Sequence, residues 1–330
     1  MVVATIKRIN SGNFNSDSVV ETFVHKVVTW KPKVNDDGVS NFLSALPKPR
    51  ISLKQGRQKT ISAAGEAEPD GNDAPTKQCL VGVVGGIGPA ASVRLQDIIV
   101  KKDSLRCKNK GFTRENGFLA DSHHTPLLVF NNPQIPNNNR GALGIGPSPV
   151  DALVDSASAL QRAGADAVAF ACTTAYTWKD IVSARSGVHI LDLLQLVAKK
   201  VVMSGCKRVG LLDVDGTHAS GRFKACLEEH GIEVVLPWKS EQKMIMNVVA
   251  DIKMGVSAAD GPLETLVEIV TQLVKRDGVS AVILGCTEVS SALGTATNRP
   301  DITYFDSLSI LADEIISRFH DTKEVRKASS

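Results

Sequence analysis

The sequence predicts an α/β fold built as two similar halves, each with a parallel sheet. Short apolar runs rich in β-branched residues alternate with longer amphipathic stretches. The short runs are apolar throughout, as strands buried on both faces of a parallel sheet must be. The third observation is a repeat: GADAVAFACT (164–173) and GVSAVILGCT (278–287) align without a gap at a spacing of 114.

In chain order, LVGVVGG (80–86) reads as a strand ending in glycine, and ASVRLQDIIVKK after it has helical spacing. LLVFNN (127–132) is the next strand. PVDALVDSASALQRAG (149–164) is an amphipathic helix closed by glycine. DAVAFA (166–171) follows as a strand, TAYTWKDIVSAR as a helix and HILDLL (189–194) as a further strand. RVGLLDV (208–214) opens the second half, with a helix around SGRFKACLEEHG (220–231) and a strand at IEVVLP (232–237). EQKMIMNVVADIKMG (241–255) and GPLETLVEIVTQLVKRDG (261–278) read as helices, SAVILG (280–285) and ITYFD (302–306) as strands. The expected domains are 77–192 with 301–325, and 193–300.

Residues 1–76 differ in character. Residues 1–60 carry ten Lys/Arg against four acids, and the sign reverses in ISAAGEAEPDGNDAPT (61–76). Such a stretch reads equally as a flexible extension or as a plastid or mitochondrial presequence. A cytoplasmic or organellar location, without secretion, is expected. The whole chain has a formal charge of +3 and 5% aromatic residues, which points away from nucleic acid. No apolar run approaches the ~18 residues a membrane-spanning helix needs, so no membrane partner is expected. The six cysteines form no C-x-x-C pair, so no metal site is expected.

The repeat places Cys172 and Cys286 at the carboxyl ends of equivalent strands, where open α/β sheets bind ligands. A buried small hydrophobe is the usual state of a free cysteine, and it serves for Cys79, Cys107, Cys206 and Cys226. Symmetry argues otherwise for the matched pair. Were the two to face each other across a cleft, one thiolate could remove a proton from a bound carbon while the opposite thiol delivered one, inverting a stereocentre without a cofactor.

VGVVGGIGPAAS (81–92), FNNPQIP (130–136), the Cys172 motif, EQK (241–243), DIKMG (251–255) and LGCTEVS (284–290) together resemble the aspartate/glutamate racemase family, its aspartate racemase branch above all. The resemblance runs from about Leu80 to Arg318. It implies two pseudo-symmetric parallel-sheet α/β domains with the site between them, forming a cofactor-independent amino-acid racemase acting on aspartate, with glutamate second, with Cys172 and Cys286 as the acid/base pair, and a homodimer. It further implies that Thr173, Thr174 and Ala175 hold the substrate α-carboxylate, that Thr287 and Glu288 support Cys286, and that Lys253 pairs with the side-chain carboxylate. The chain departs from the family pattern at Thr173 and Tyr176, where asparagine and histidine are usual. The family's arginine after NNPQIP is matched by Asn138, unless Arg140 takes its role. Asp213 and Asp215 stand where threonine is commoner, and an acid facing the cleft would repel a second carboxylate.

Other readings compete. GIGPAA (86–91) fits a dinucleotide-binding loop, but the following strand ends in Asn131 and Asn132 rather than in an acid for a ribose. A small-acid decarboxylase or isomerase of the same superfamily, or a non-catalytic amino-acid-binding paralogue, would keep the fold and change the use of the site.

Overall fold

Two parallel sheets carry the fold in the computed structural model, which describes residues 79–111, 121–294 and 301–320. All of these belong to one compact unit of the chain. The extension or presequence expected over 1–76 lies outside the described residues. The first sheet has the order β2 (Leu127–Asn131), β1 (Val81–Gly85), β3 (Ala167–Phe170). The second has β5 (Glu233–Val235), β4 (Arg208–Leu212), β6 (Ala281–Leu284) and β7 (Thr303–Asp306). In each half the first strand in sequence lies between the second and the third, so the halves share one topology.

The 114-residue offset extends beyond the two cysteine segments. In the first half Ile190 makes a single parallel bridge to Val168. In the second half Tyr304 pairs with Val282, and both members are displaced by that offset. Helix α5 (Leu193–Met203) and helix α11 (Ser307–His320) begin the same distance apart. The strand expected over 189–194 is thereby reduced to that bridge. Asp192 ends it, because its carboxylate accepts a hydrogen bond from the Gln195 N–H at 3.2 Å and starts α5 as an N-cap.

Helix α1 (Pro89–Asn109) starts on proline, whose fixed φ and missing N–H suit a first turn. Gly86, at φ +95, lets the preceding loop fold against Asn132, whose backbone a Cβ would meet at 2.3 Å. Helix α2 (Asn138–Ala142) is short and capped by Asn137, and α3 (Val150–Arg162) buries Val150, Leu153, Ser156, Ala157 and Leu160 along one face. The helix expected from Thr174 begins as a tight 3₁₀ turn, Thr173–Trp178, before α4 (Lys179–Ser186). In the second half come α6 (Asp215–Ser220), α7 (Arg222–Glu229), α8 (Lys239–Lys253), α9 (Pro262–Asp277) and α10 (Thr287–Leu293).

Residues of β6 alternate between two apolar clusters. Ala281 and Ile283 join a core that continues through β1, β3, α5 and α11, while Val282 and Leu284 join one with α8, α9 and α10. Both sheet faces are therefore covered, which is why these strands read as continuous apolar runs. Each buried Val, Leu or Ile contributes about 1.5–3 kcal/mol through removal from water.

The segment 301–325, expected with the first half, supplies β7 to the second sheet, while its helix α11 packs on α1 and α5. Strand pairing follows the repeat there. Polar ties also join the halves: the Thr174 and Thr217 hydroxyls lie 2.8 Å apart, the Gly216 N–H donates to Asn139 Oδ1 at 2.6 Å, and Arg94 donates to the Ser290 carbonyl at 3.0 Å. Among the described residues, no helix is long and apolar enough to cross a membrane.

Candidate active site

Cys172 and Cys286 occupy equivalent places. Each leaves its strand in extended conformation (φ −155, ψ 118 and φ −135, ψ 141) and immediately precedes a short helical turn. The following turn directs backbone N–H groups at the sulfur: that of Ala175 at Cys172, and those of Glu288 and Val289 at Cys286. Such donors favour thiolate, whereas burial favours thiol.

Burial wins at both sulfurs, but unequally. The Cys172 thiol is raised above its ordinary value by burial, opposed by the Ala175 N–H and by Asn138; the charge of Glu288 raises it further and that of Lys253 lowers it. Cys286 is raised well above its ordinary value, first by burial and then by Glu288. Its Sγ donates to Glu288 Oε2 at 3.1 Å, and the Thr287 hydroxyl donates to the same oxygen at 2.9 Å. Lys253 Nζ lies 3.7 Å from Glu288 Oε1. Because Glu288 and Lys253 act electrostatically on Cys172 as well, the two thiols share one environment. The loop after β1 joins it, since a Cβ on Gly88 would lie 3.0 Å from Glu288 Oε1 and 3.8 Å from Lys253 Cε.

The segment after β2 supplies the other flank. Asn132 is spent on the loop itself, donating to Ser156 and accepting from the Gln134 N–H. Asn137 Oδ1 caps α2 by accepting from the Arg140 N–H at 3.0 Å. Asn138 is buried and its Nδ2 donates to Cys172 Sγ at 3.6 Å, while Asn139 ties α2 to α6. Of the two candidates for the arginine position, Asn138 is the one at the thiol. Arg140 is exposed, and its guanidinium donates to the Ile145 carbonyl at 3.1 Å, just beyond the end of α2.

Thr173, Thr174 and Ala175 line the buried turn after Cys172, with the Thr174 hydroxyl shared with Thr217. Tyr176 is not in the site. It is buried in edge contact with Phe170, and its hydroxyl both accepts from the Phe170 N–H and donates to the Phe170 carbonyl. Sequence reasoning did not single out Gln242 beyond its place in EQK, nor His218. Gln242 Nε2 donates to the Asp213 carbonyl at 3.0 Å and to Asp215 Oδ1 at 2.9 Å. His218 Nδ1 stands 3.7 Å from the buried Asp213 carboxyl. Burial raises Asp213, and the Asp213 carboxyl in turn raises His218. Elsewhere Cys226 is pushed up to about 11, chiefly by burial, and so stays a thiol at neutral pH. Among the described residues, no three His, Cys, Asp or Glu side chains gather as a metal site would need.

A family profile described as Asp/Glu/hydantoin racemase matches residues 84–315, and so takes in both cysteine segments and most of both sheets. The chain belongs to this racemase family. It is 26% identical to an aspartate racemase of Picrophilus torridus, with a TM-score of 0.58, covering 72% of this chain and 93% of that one. An aspartate racemase homologue from Pyrococcus horikoshii OT3 is 25% identical, with a TM-score of 0.56, and covers 72% and 97%. The broad specificity amino-acid racemase RacX of Bacillus subtilis (strain 168) is 24% identical over 172 residues, 51% of this chain and 71% of RacX. Two similar α/β halves with parallel sheets are thus the racemase fold, and activity as a racemase is supported at the level of the family.

Proposed function

We propose that this racemase-family chain inverts the α-carbon of an amino acid by two-base proton transfer between Cys172 and Cys286, needing no pyridoxal phosphate. The observation that carries the reading is the matched placement of the two thiols on the repeat, together with their unequal environments. Cys172 has a side-chain donor and the compensating charge of Lys253, which suits it to be the resting base. Cys286 gives its proton toward Glu288, which suits it to be the resting acid. Two groups whose surroundings push their pKa values apart are what acid/base division of labour requires.

In this mechanism the Cys172 thiolate removes the α-proton from one face. The electron pair delocalises into the α-carboxylate held at the Thr173–Ala175 turn, and the Cys286 thiol protonates the opposite face. The product leaves with Cys172 as thiol and Cys286 as thiolate, the state required for the reverse direction. Aspartate, with glutamate behind it, is the substrate the family resemblance supports. Lys253, whose charge reaches Cys172, is the cation for its second carboxylate.

The test is L-aspartate in D₂O without added cofactor, followed by NMR and chiral chromatography. Deuterium at Cα together with D-aspartate is expected. Cys172→Ala and Cys286→Ala should each abolish inversion, and full racemisation by either variant would defeat the assignment. Release of carbon dioxide without inversion would indicate a decarboxylase.

A further inference from the structure

Asn138 is 3% exposed, and its Oδ1 has no hydrogen-bond partner. Its Nδ2 donates to Cys172 Sγ, the orientation that favours a thiolate there, and Oδ1 then faces away from the sulfur. Gln242 repeats the pattern. Nε2 is held by two acceptors, Asp213 O and Asp215 Oδ1, and the buried Oε1 has no partner. Asp213 Oδ1 is a third buried oxygen without a hydrogen bond, with His218 at 3.7 Å. Of the three, Asn138 Oδ1 belongs to the side chain whose other end meets Cys172. An amide oxygen buried without a donor costs about 1–3 kcal/mol, a penalty that a bound N–H group removes.

A carboxylate brings only acceptors to such a place. A primary carboxamide brings N–H donors for Asn138 Oδ1 and a carbonyl oxygen for Lys253, whose charge also reaches Cys172. Lys253 also pairs with Glu288, so it meets a neutral carbonyl oxygen as well as a carboxylate. We infer that Asn138 makes this site a carboxamide acceptor, so that asparagine is turned over at least as readily as aspartate. The inference rests on the two-thiol reading and extends its substrate class.

The experiment compares Cα deuterium incorporation for L-asparagine, L-aspartate and L-alanine with the full chain, at equal enzyme and neutral pH. The expected kcat/KM for asparagine equals or exceeds that for aspartate. Aspartate turnover faster than asparagine turnover, or alanine turnover with neither, overturns the inference and leaves the racemase reading standing. Exchange with none of the three, from folded protein with reduced thiols, overturns both. Asn138→Leu, of similar size, removes the donor to Cys172 for every substrate but the acceptor only for asparagine. It should lower asparagine turnover at least about tenfold more than alanine turnover, a difference of about 1.4 kcal/mol. An equal loss for both would mean that Oδ1 does not meet the side chain. Asn138→Arg should move the preference toward aspartate; an unchanged ratio from this folded variant also counts against the inference.

Discussion

Replacing Glu288 by glutamine separates the charge at Cys286 from the shape of its surroundings. The carboxylate oxygen lies 3.1 Å from Sγ in a buried setting. A full charge at that distance acts with roughly 5 kcal/mol at an effective dielectric of about 20. The Lys253 ammonium, 3.7 Å from the other oxygen, cancels part of this, and the amide oxygen of glutamine can still accept from the thiol. A remainder of about 1.5–3 kcal/mol in favour of the thiolate is left in the variant. The sign is set by Glu288 raising Cys286: without the charge, thiolate forms at lower pH. Alkylation of Cys286 by iodoacetamide, followed by peptide mass spectrometry from about pH 6 to 10, should show its midpoint moving down. Racemisation should nevertheless fall, by about a hundredfold, as expected when a group serving proton transfer is lost. A midpoint that stays or moves up would refute the assignment of Glu288 as the charge that keeps Cys286 protonated.

Thr174→Val leaves the buried Thr217 hydroxyl without its partner and should cost about 1–3 kcal/mol in denaturant unfolding; adding Thr217→Val should cost much less than a second such loss. Gly88→Ala would put a methyl group 3.0 Å from Glu288 Oε1, so kcat should fall severalfold with little change in the melting temperature, read by steady-state racemisation and thermal unfolding. His218 is raised by the Asp213 carboxyl, so its stabilising contribution is fully present below the ordinary imidazole value of ~6.5 and is lost as pH rises through the raised folded value. The stability difference between the wild-type chain and His218→Gln should therefore be largest near pH 6 and shrink toward pH 9, measured by urea unfolding across that range.

Much of the fold was legible because its rules are local. β1, β3 and β6 are buried on both faces, so their residues are apolar without alternation. The amphipathic helices α3 and α9 follow from apolar spacing alone. HILDLL failed as a strand because its composition is that of a strand while Asp192 is a helix cap; a single side chain outvoted the run around it. Short α2, α6 and α10 were missed because helices of five to seven residues show less than two full turns of periodicity.

The sequence by itself determined the repeat, the strand ends carrying Cys172 and Cys286, and the family resemblance, since each is a matter of residue type and spacing. Tertiary structure alone decided which side chains meet. It turned Arg140 outward and brought Asn138 to Cys172, although both lie within three residues of one another. It withdrew Tyr176 into the core, where its hydroxyl bonds Phe170. It set Glu288 between Cys286 and Lys253, which comes from the end of another helix. Charge and hydrogen bonding act over a few ångströms of space, and those distances are fixed only when separate strands and helices have packed.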